Sequence, residues 1–156
     1  MRRTSFADAP CSIAQALEVI GDWWTPLILR DVLMGVTRFE QMQSRLGIAR
    51  NVLAQRLDSL VEHGVLEQVQ YQDRPVRHEY VLTRKGKDLW PVLTMLRQWG
   101  DTWYAPDGPP IEMVHTPCGH AAPAELSCSA CGETLRGRDL ELRHGPGAKD
   151  GGLLPA

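Results

Sequence analysis

Two pairs of residues that bind metals stand near the C-terminal end of the sequence. His115-x2-Cys118 and Cys128-x2-Cys131 are separated by nine residues, and each pair is followed by a glycine, Gly119 or Gly132. Zinc takes four nitrogen or sulfur ligands in a tetrahedron, and a tight turn closed by glycine supplies two of them at once. The expected cofactor is one structural zinc held by His115, Cys118, Cys128 and Cys131, with no position left open for catalysis. His120 is a rival for the fourth place. The alternatives are a hairpin without metal and a disulfide. A reducing cytoplasm disfavours the disulfide. An appendage of about 35 residues has too little core to fold without a staple.

The fourth cysteine, Cys11, precedes Ser12, which with Gln15 has the capping-box pattern of a helix start. Free backbone N–H groups and the helix dipole favour a thiolate there, which makes Cys11 a candidate redox switch. The competing reading is a small apolar side chain packed in a subunit interface. Every other cysteine belongs to the zinc set. A sensing disulfide would therefore need Cys11 of a second copy, a zinc ligand or a small thiol.

Nothing else in the sequence has the spacing of a catalyst. It has no glycine-rich phosphate loop, no His-Glu-x-x-His, and no Ser or Cys nucleophile with an evident base. His63 and His78 read as surface or phosphate-contacting groups. The expectation is a protein that is not an enzyme.

The elements that position these residues follow from apolar periodicity. Ile13, Ala16, Leu17 and Ile20 share one face of a first helix that ends at Gly21. Thr25-Pro26 opens a second helix, with Pro26 where a missing N–H costs nothing, and it runs to Gly35. Thr37 and Glu40 predict a capping box for a third, whose stripe is Phe39, Met42 and Leu46, and Gly47 stops it. Val52, Leu53, Leu57, Leu60 and Val61 mark a fourth helix ending near His63-Gly64.

The period then falls to about two. Residues 66–71 and 78–82 alternate as strands around an Asp73-Arg74-Pro75 turn, which predicts a hairpin wing. Thr83 caps a long predicted helix with Leu89, Val92, Leu93, Leu96, Trp99 and Trp103 on its apolar face, and Pro91 should bend it. This helix and the first have more apolar surface than so small a domain needs, and the surplus is assigned to a dimer interface. The expected organisation is a domain at 1–104, a linker at 105–110, a zinc-ribbon-like hairpin at 111–144 and a disordered tail at 145–156.

Several stretches resemble the HxlR family of regulators, whose winged helix is similar to that of MarR-like proteins. They are Cys11-Ser12-Ile13, Gly21-Asp22-Trp23-Trp24, Leu27-Ile28-Leu29-Arg30-Asp31 and Gly35-Val36-Thr37-Arg38-Phe39. Asn51-Val52-Leu53-Ala54-Gln55-Arg56-Leu57, Gly64-Val65-Leu66 and Tyr80-Val81-Leu82-Thr83 continue the match, which covers about residues 10–104. The resemblance implies a mainly α fold with a small β-wing, a winged helix-turn-helix. It also implies a homodimer paired through its first and last helices on an operator, and a switch for oxidants or electrophiles at the place of Cys11. One departure is Ala49, where a hydroxyl residue usually opens the recognition helix; losing such a cap costs about 1 kcal/mol.

A recognition helix puts its N-terminal outward side chains into the major groove. With Leu53, Leu57 and Leu60 buried, Arg50, Asn51, Ala54, Gln55 and Asp58 face outward. Arg50 suits guanine, and Asn51 or Gln55 suits adenine, at roughly 1–3 kcal/mol of discrimination each. Arg56 at the flank, Arg38 and Arg45 on the preceding helix, and Arg74 and Arg77 on the wing suit phosphate, which fixes register more than sequence.

The formal net charge of −2 hides an asymmetry along the chain. Residues 38–87 hold nine Lys or Arg against six Asp or Glu, a net of +3, whereas residues 107–156 hold four against seven, a net of −3. Local charge sets the field that DNA would feel. No run of 18 apolar residues predicts a membrane span, and no secretory apolar region follows the N-terminus, so the expected location is the cytoplasm. The expected function is a dimeric repressor of transcription. Other readings are a winged-helix and zinc-ribbon module that docks on the transcription machinery, or a sensor with a small-molecule pocket among Trp23, Trp24, Trp90, Trp99 and Trp103.

Overall fold

The computed structural model describes residues 5–121 and 123–148; the end of the tail expected to be disordered, from 149 onward, lies outside them. Four helices come first: α1 (Ser12–Ile20), α2 (Trp24–Leu33), α3 (Phe39–Leu46) and α4 (Arg50–Glu62). A hairpin of β1 (Leu66–Asp73) and β2 (Val76–Leu82) follows, then a short α5 (Arg84–Lys87) and the longer α6 (Trp90–Tyr104). Two short strands, β3 (Val114–His115) and β4 (His120–Ala121), form a second antiparallel pair. Among the described residues no helix is long and apolar enough to cross a membrane.

The chain divides into two units after Trp90. The first unit has its core at the meeting of α2, α3, α4 and the base of the hairpin. Ile28, Leu29 and Val32 of α2 are buried with Met42 of α3, Leu53, Leu57 and Leu60 of α4, and Val65, Leu66 and Tyr80 of the hairpin base. The spacing of Leu53, Leu57 and Leu60 turns one stripe of α4 inward and leaves the opposite stripe in water. Gly47 ends α3 with φ 62°, and three residues later α4 begins, which is the tight turn of a helix-turn-helix.

The hairpin is antiparallel, with Leu66 opposite Leu82 and Asp73 opposite Val76. Gln70 pairs with His78 and Gln72 with Arg77, so Tyr71 is an extra residue that forms a bulge. The chain at Thr37-Arg38 joins the outer edge of β2: Tyr80 N–H donates to Thr37 O at 2.8 Å, and Arg38 bridges Glu79. The wing is thereby anchored to the entrance of α3.

Four expected helix starts differ in the structure. The second helix opens at Trp24 with Trp23 at its cap, so Thr25 and Pro26 lie within its first turn rather than at its start. Cys11, not Ser12, caps α1, and its sulfur accepts the Ala14 N–H at 3.5 Å. Gln15 instead donates to Ala9 O. Arg38 occupies the cap of α3, because Thr37 lies one residue earlier in extended backbone and its hydroxyl donates to Glu79 at 3.0 Å. The long helix from Thr83 is two helices. Thr83 caps α5 through Gly86 N–H, and α6 starts afresh at Trp90. Pro91 lacks an N–H and would clash with the carbonyl four residues earlier, so it falls in the first turn of a new helix, where neither matters.

In the second unit, Arg97 of α6 pairs with Asp101 and donates to Ile111 O, and Gln98 accepts Ala124 N–H at 2.8 Å. These bonds group α6 with the residues after 104. A bridge between Ser127 and Thr134 makes another small hairpin, and the chain turns again at Gly137–Asp139.

Candidate nucleic-acid interface

Helix α4 presents Arg50, Asn51, Gln55 and Asp58 to solvent, and Ala54 between them is half-buried. Ala49 stands at the cap position in extended backbone and offers no side-chain hydrogen bond to the helix start. Polar groups that carry both donors and acceptors thus line the exposed N-terminal half of the helix.

The arginines near this face differ in what holds them. Arg50 lies with its guanidinium carbon 4.7 Å from the centre of the Phe39 ring, and Arg38 lies 4.3 Å from that of Tyr71. The bulge that displaces Tyr71 from the ladder gives Arg38 this platform. Arg74 and Arg77 are exposed at the wing tip and have no ion-pair partner among the described residues. Gln72 donates to Arg74 O at 2.9 Å and Gln70 to Asp73 at 2.8 Å, which stiffens the tip.

Two of the expected DNA contacts are engaged elsewhere. Arg56 pairs with Asp22 at 2.9 Å. Arg45 reaches Asp31 at 3.3 Å, and Arg30 holds the other oxygen of the same carboxylate at 2.7 Å. The Asp31 side chain is 0% exposed, so a buried charge is neutralised by two half-exposed guanidinium groups. Neither carboxylate figured among the expected site residues. Asp22 follows a glycine at a helix start and accepts Trp24 N–H at 2.9 Å, which is a readable turn signal. Asp31 interrupts the apolar run from Leu27 to Leu33, and a charge inside such a run marks a buried ion pair.

At the hairpin base, burial pushes the Tyr80 phenol up from its ordinary 10.0, and the hydrogen bond with Gln68 opposes it. Cys11 is half-buried.

In the second unit both cysteine turns are formed. Gly119 N–H donates to His115 O and Gly132 N–H to Cys128 O, each at 2.8 Å, and φ is 72° and 79° at the two glycines. A side chain at either place would be strained, so the glycine after each pair permits the turn. His115 Nδ1 lies 3.2 Å from Cys118 Sγ. Hydrogen bonds from the backbone of Cys131 and Ala130, then from the Cys131 thiol, hold the Cys128 thiol below its ordinary range. Three thiols and an imidazole are a donor set that suits zinc. The structure brings them together in pairs, and among the described residues no three His, Cys, Asp or Glu side chains converge as a metal-holding group.

Comparison with known proteins places this geometry. The family described as HxlR-like helix-turn-helix matches residues 19–108. An uncharacterised helix-turn-helix-type transcriptional regulator of Mycobacterium tuberculosis, Rv3095, is 45% identical over 139 residues, 88% of each chain. The solved structure of PA1607, a candidate transcription factor, is similar with a TM-score of 0.81 and 39% identity, over 91% of this chain and all of that one. The redox regulator HypR in its reduced form is similar at 26% identity with a TM-score of 0.56, over 59% of this chain and 92% of its own.

Proposed function

The chain belongs to the HxlR-like helix-turn-helix family, and on that premise we propose that it is a homodimeric repressor that reads an operator with α4. The observation that carries this reading is the exposed row of Arg50, Asn51 and Gln55 opposite the buried Leu53, Leu57 and Leu60. Arg50, Asn51 and Gln55 read base edges, and Arg38, Arg74 and Arg77 hold phosphate or enter the minor groove. Arg45 can hold phosphate with whatever donors Asp31 leaves free. Arg56, committed to Asp22, secures α4.

Dimerisation is supported by apolar faces that one copy leaves in water. Ile13 of α1 is 72% exposed, and Trp99 and Trp103 of α6 are 55% and 70% exposed. A two-fold dimer sets two copies of α4 about one helical turn of DNA apart, roughly 34 Å. Such a compact dimer represses by blocking polymerase. Oxidants or electrophiles acting on Cys11 are the proposed input, supported by its place at the start of α1 and by the redox-regulator name of HypR.

We also propose that His115, Cys118, Cys128 and Cys131 hold a structural zinc. Two glycine-closed turns of matching form support it, as does the scarcity of buried side chains from residue 114 onward. The zinc would crosslink the two turns.

Selection of bound duplexes from a randomised DNA pool tests the central reading. An inverted repeat is the expected product. Recovery of no common sequence would overturn it and favour docking on the transcription machinery.

A further inference from the structure

The geometry points to Phe39 as a positioning residue that fixes where Arg50 aims its guanidinium. The inference rests on the DNA-reading role given to α4 and adds the side chain that prepares it.

Phe39 is the first residue of α3 and Arg50 the first of α4, so this cation–ring contact joins the entrances of the two helices. Phe39 is half-buried and Arg50 exposed. Among the described residues Arg50 makes no ion pair and no side-chain hydrogen bond, and its guanidinium lies against the ring. Its neighbours contrast with it: Arg45 and Arg56 each give a donor to a carboxylate.

That difference matters for recognition. A ring takes the flat face of a guanidinium, whereas a carboxylate takes its edge. The two N–H groups that would pair with guanine O6 and N7 lie in the edge. Arg50 can stay against the ring with every donor uncommitted to a carboxylate, whereas Arg56 gives one of its donors to Asp22. The ring also restricts a long side chain that otherwise loses its rotamer freedom on meeting the base. The helix start provides no substitute, because Ala49 has no capping group. Phe39 therefore contributes to discrimination at one base pair and little to general affinity for DNA.

The test uses the full chain and the duplex recovered from the randomised pool, with each base pair replaced in turn. The pair at which wild type loses affinity and Arg50→Ala does not is the base read by Arg50. Phe39→Leu is expected to lower discrimination at that pair by about two- to fivefold, with salt dependence unchanged and no further effect in the Arg50→Ala background. Phe39→Trp, which keeps a ring, is expected to retain it, and serves alone if Phe39→Leu does not fold. Equal weakening on every duplex, unchanged discrimination in Phe39→Leu, or a loss in Phe39→Trp as large as in Arg50→Ala would overturn the inference. If no base pair depends on Arg50, the reading role of Arg50 fails first and the inference falls with it.

Discussion

Arg56 Nη2 lies 2.9 Å from Asp22 Oδ2, and this ion pair ties α4 to the turn before α2. The other oxygen of Asp22 accepts Trp24 N–H, so one carboxylate organises two helices. The arginine is only 24% exposed, which leaves it little freedom to reach a phosphate. Arg56→Met is therefore expected to lower stability by about 1 kcal/mol in thermal unfolding. It should leave the slope of log affinity against log salt unchanged. A slope reduced by about one would return Arg56 to the phosphate contacts.

Asp31 predicts a non-additive pair. Each of its oxygens has its own arginine, Arg30 or Arg45, so removing either one leaves the buried charge half-compensated. The double exchange Arg30→Met, Arg45→Met leaves it with neither, and is expected to cost about 3 kcal/mol. Each single exchange should cost less than half as much. Singles that add up to the double in denaturant unfolding would contradict this account.

Tyr80 gives a pH dependence. Burial favours its neutral phenol, so the unfolded chain loses the proton first. Its contribution is intact below the ordinary value of 10.0 and is lost as the pH rises from there through the higher folded value. Thermal midpoints should fall more steeply above about pH 10 in wild type than in Tyr80→Phe. Equal slopes would remove Tyr80 as the cause.

The zinc proposal has a direct assay. The purified chain is expected to carry about one zinc per copy by elemental analysis, lost in Cys128→Ser and Cys131→Ser. His120→Ala should keep it and His115→Ala should weaken it. Wild-type protein without zinc after purification in its presence would refute the proposal.

Much of the first unit was legible because its signals are local. The stripe of Leu53, Leu57 and Leu60, the stop at Gly47 and the turn at Asp73-Arg74-Pro75 each appear where the sequence places them. Cap assignments failed where two residues competed. Cys11 and Ser12 are adjacent, and pattern alone favours the hydroxyl over the sulfur that serves. Thr37 was claimed by a strand partner, Glu79, 42 residues away, which local reading cannot see. The same distance effect hid the engagement of Arg45 and Arg56. The outward residues of α4 were legible because the inward ones are.

The most direct test of operator reading compares wild type with the Asn51→Ala, Gln55→Ala double variant on the selected duplex, against excess unrelated DNA, at several salt concentrations. The account predicts that wild type stays bound under competition while the variant falls to the affinity it has for unrelated DNA, with a similar salt slope. Binding that follows salt alone and is indifferent to both exchanges would mean phosphate attraction without reading, and would contradict the account.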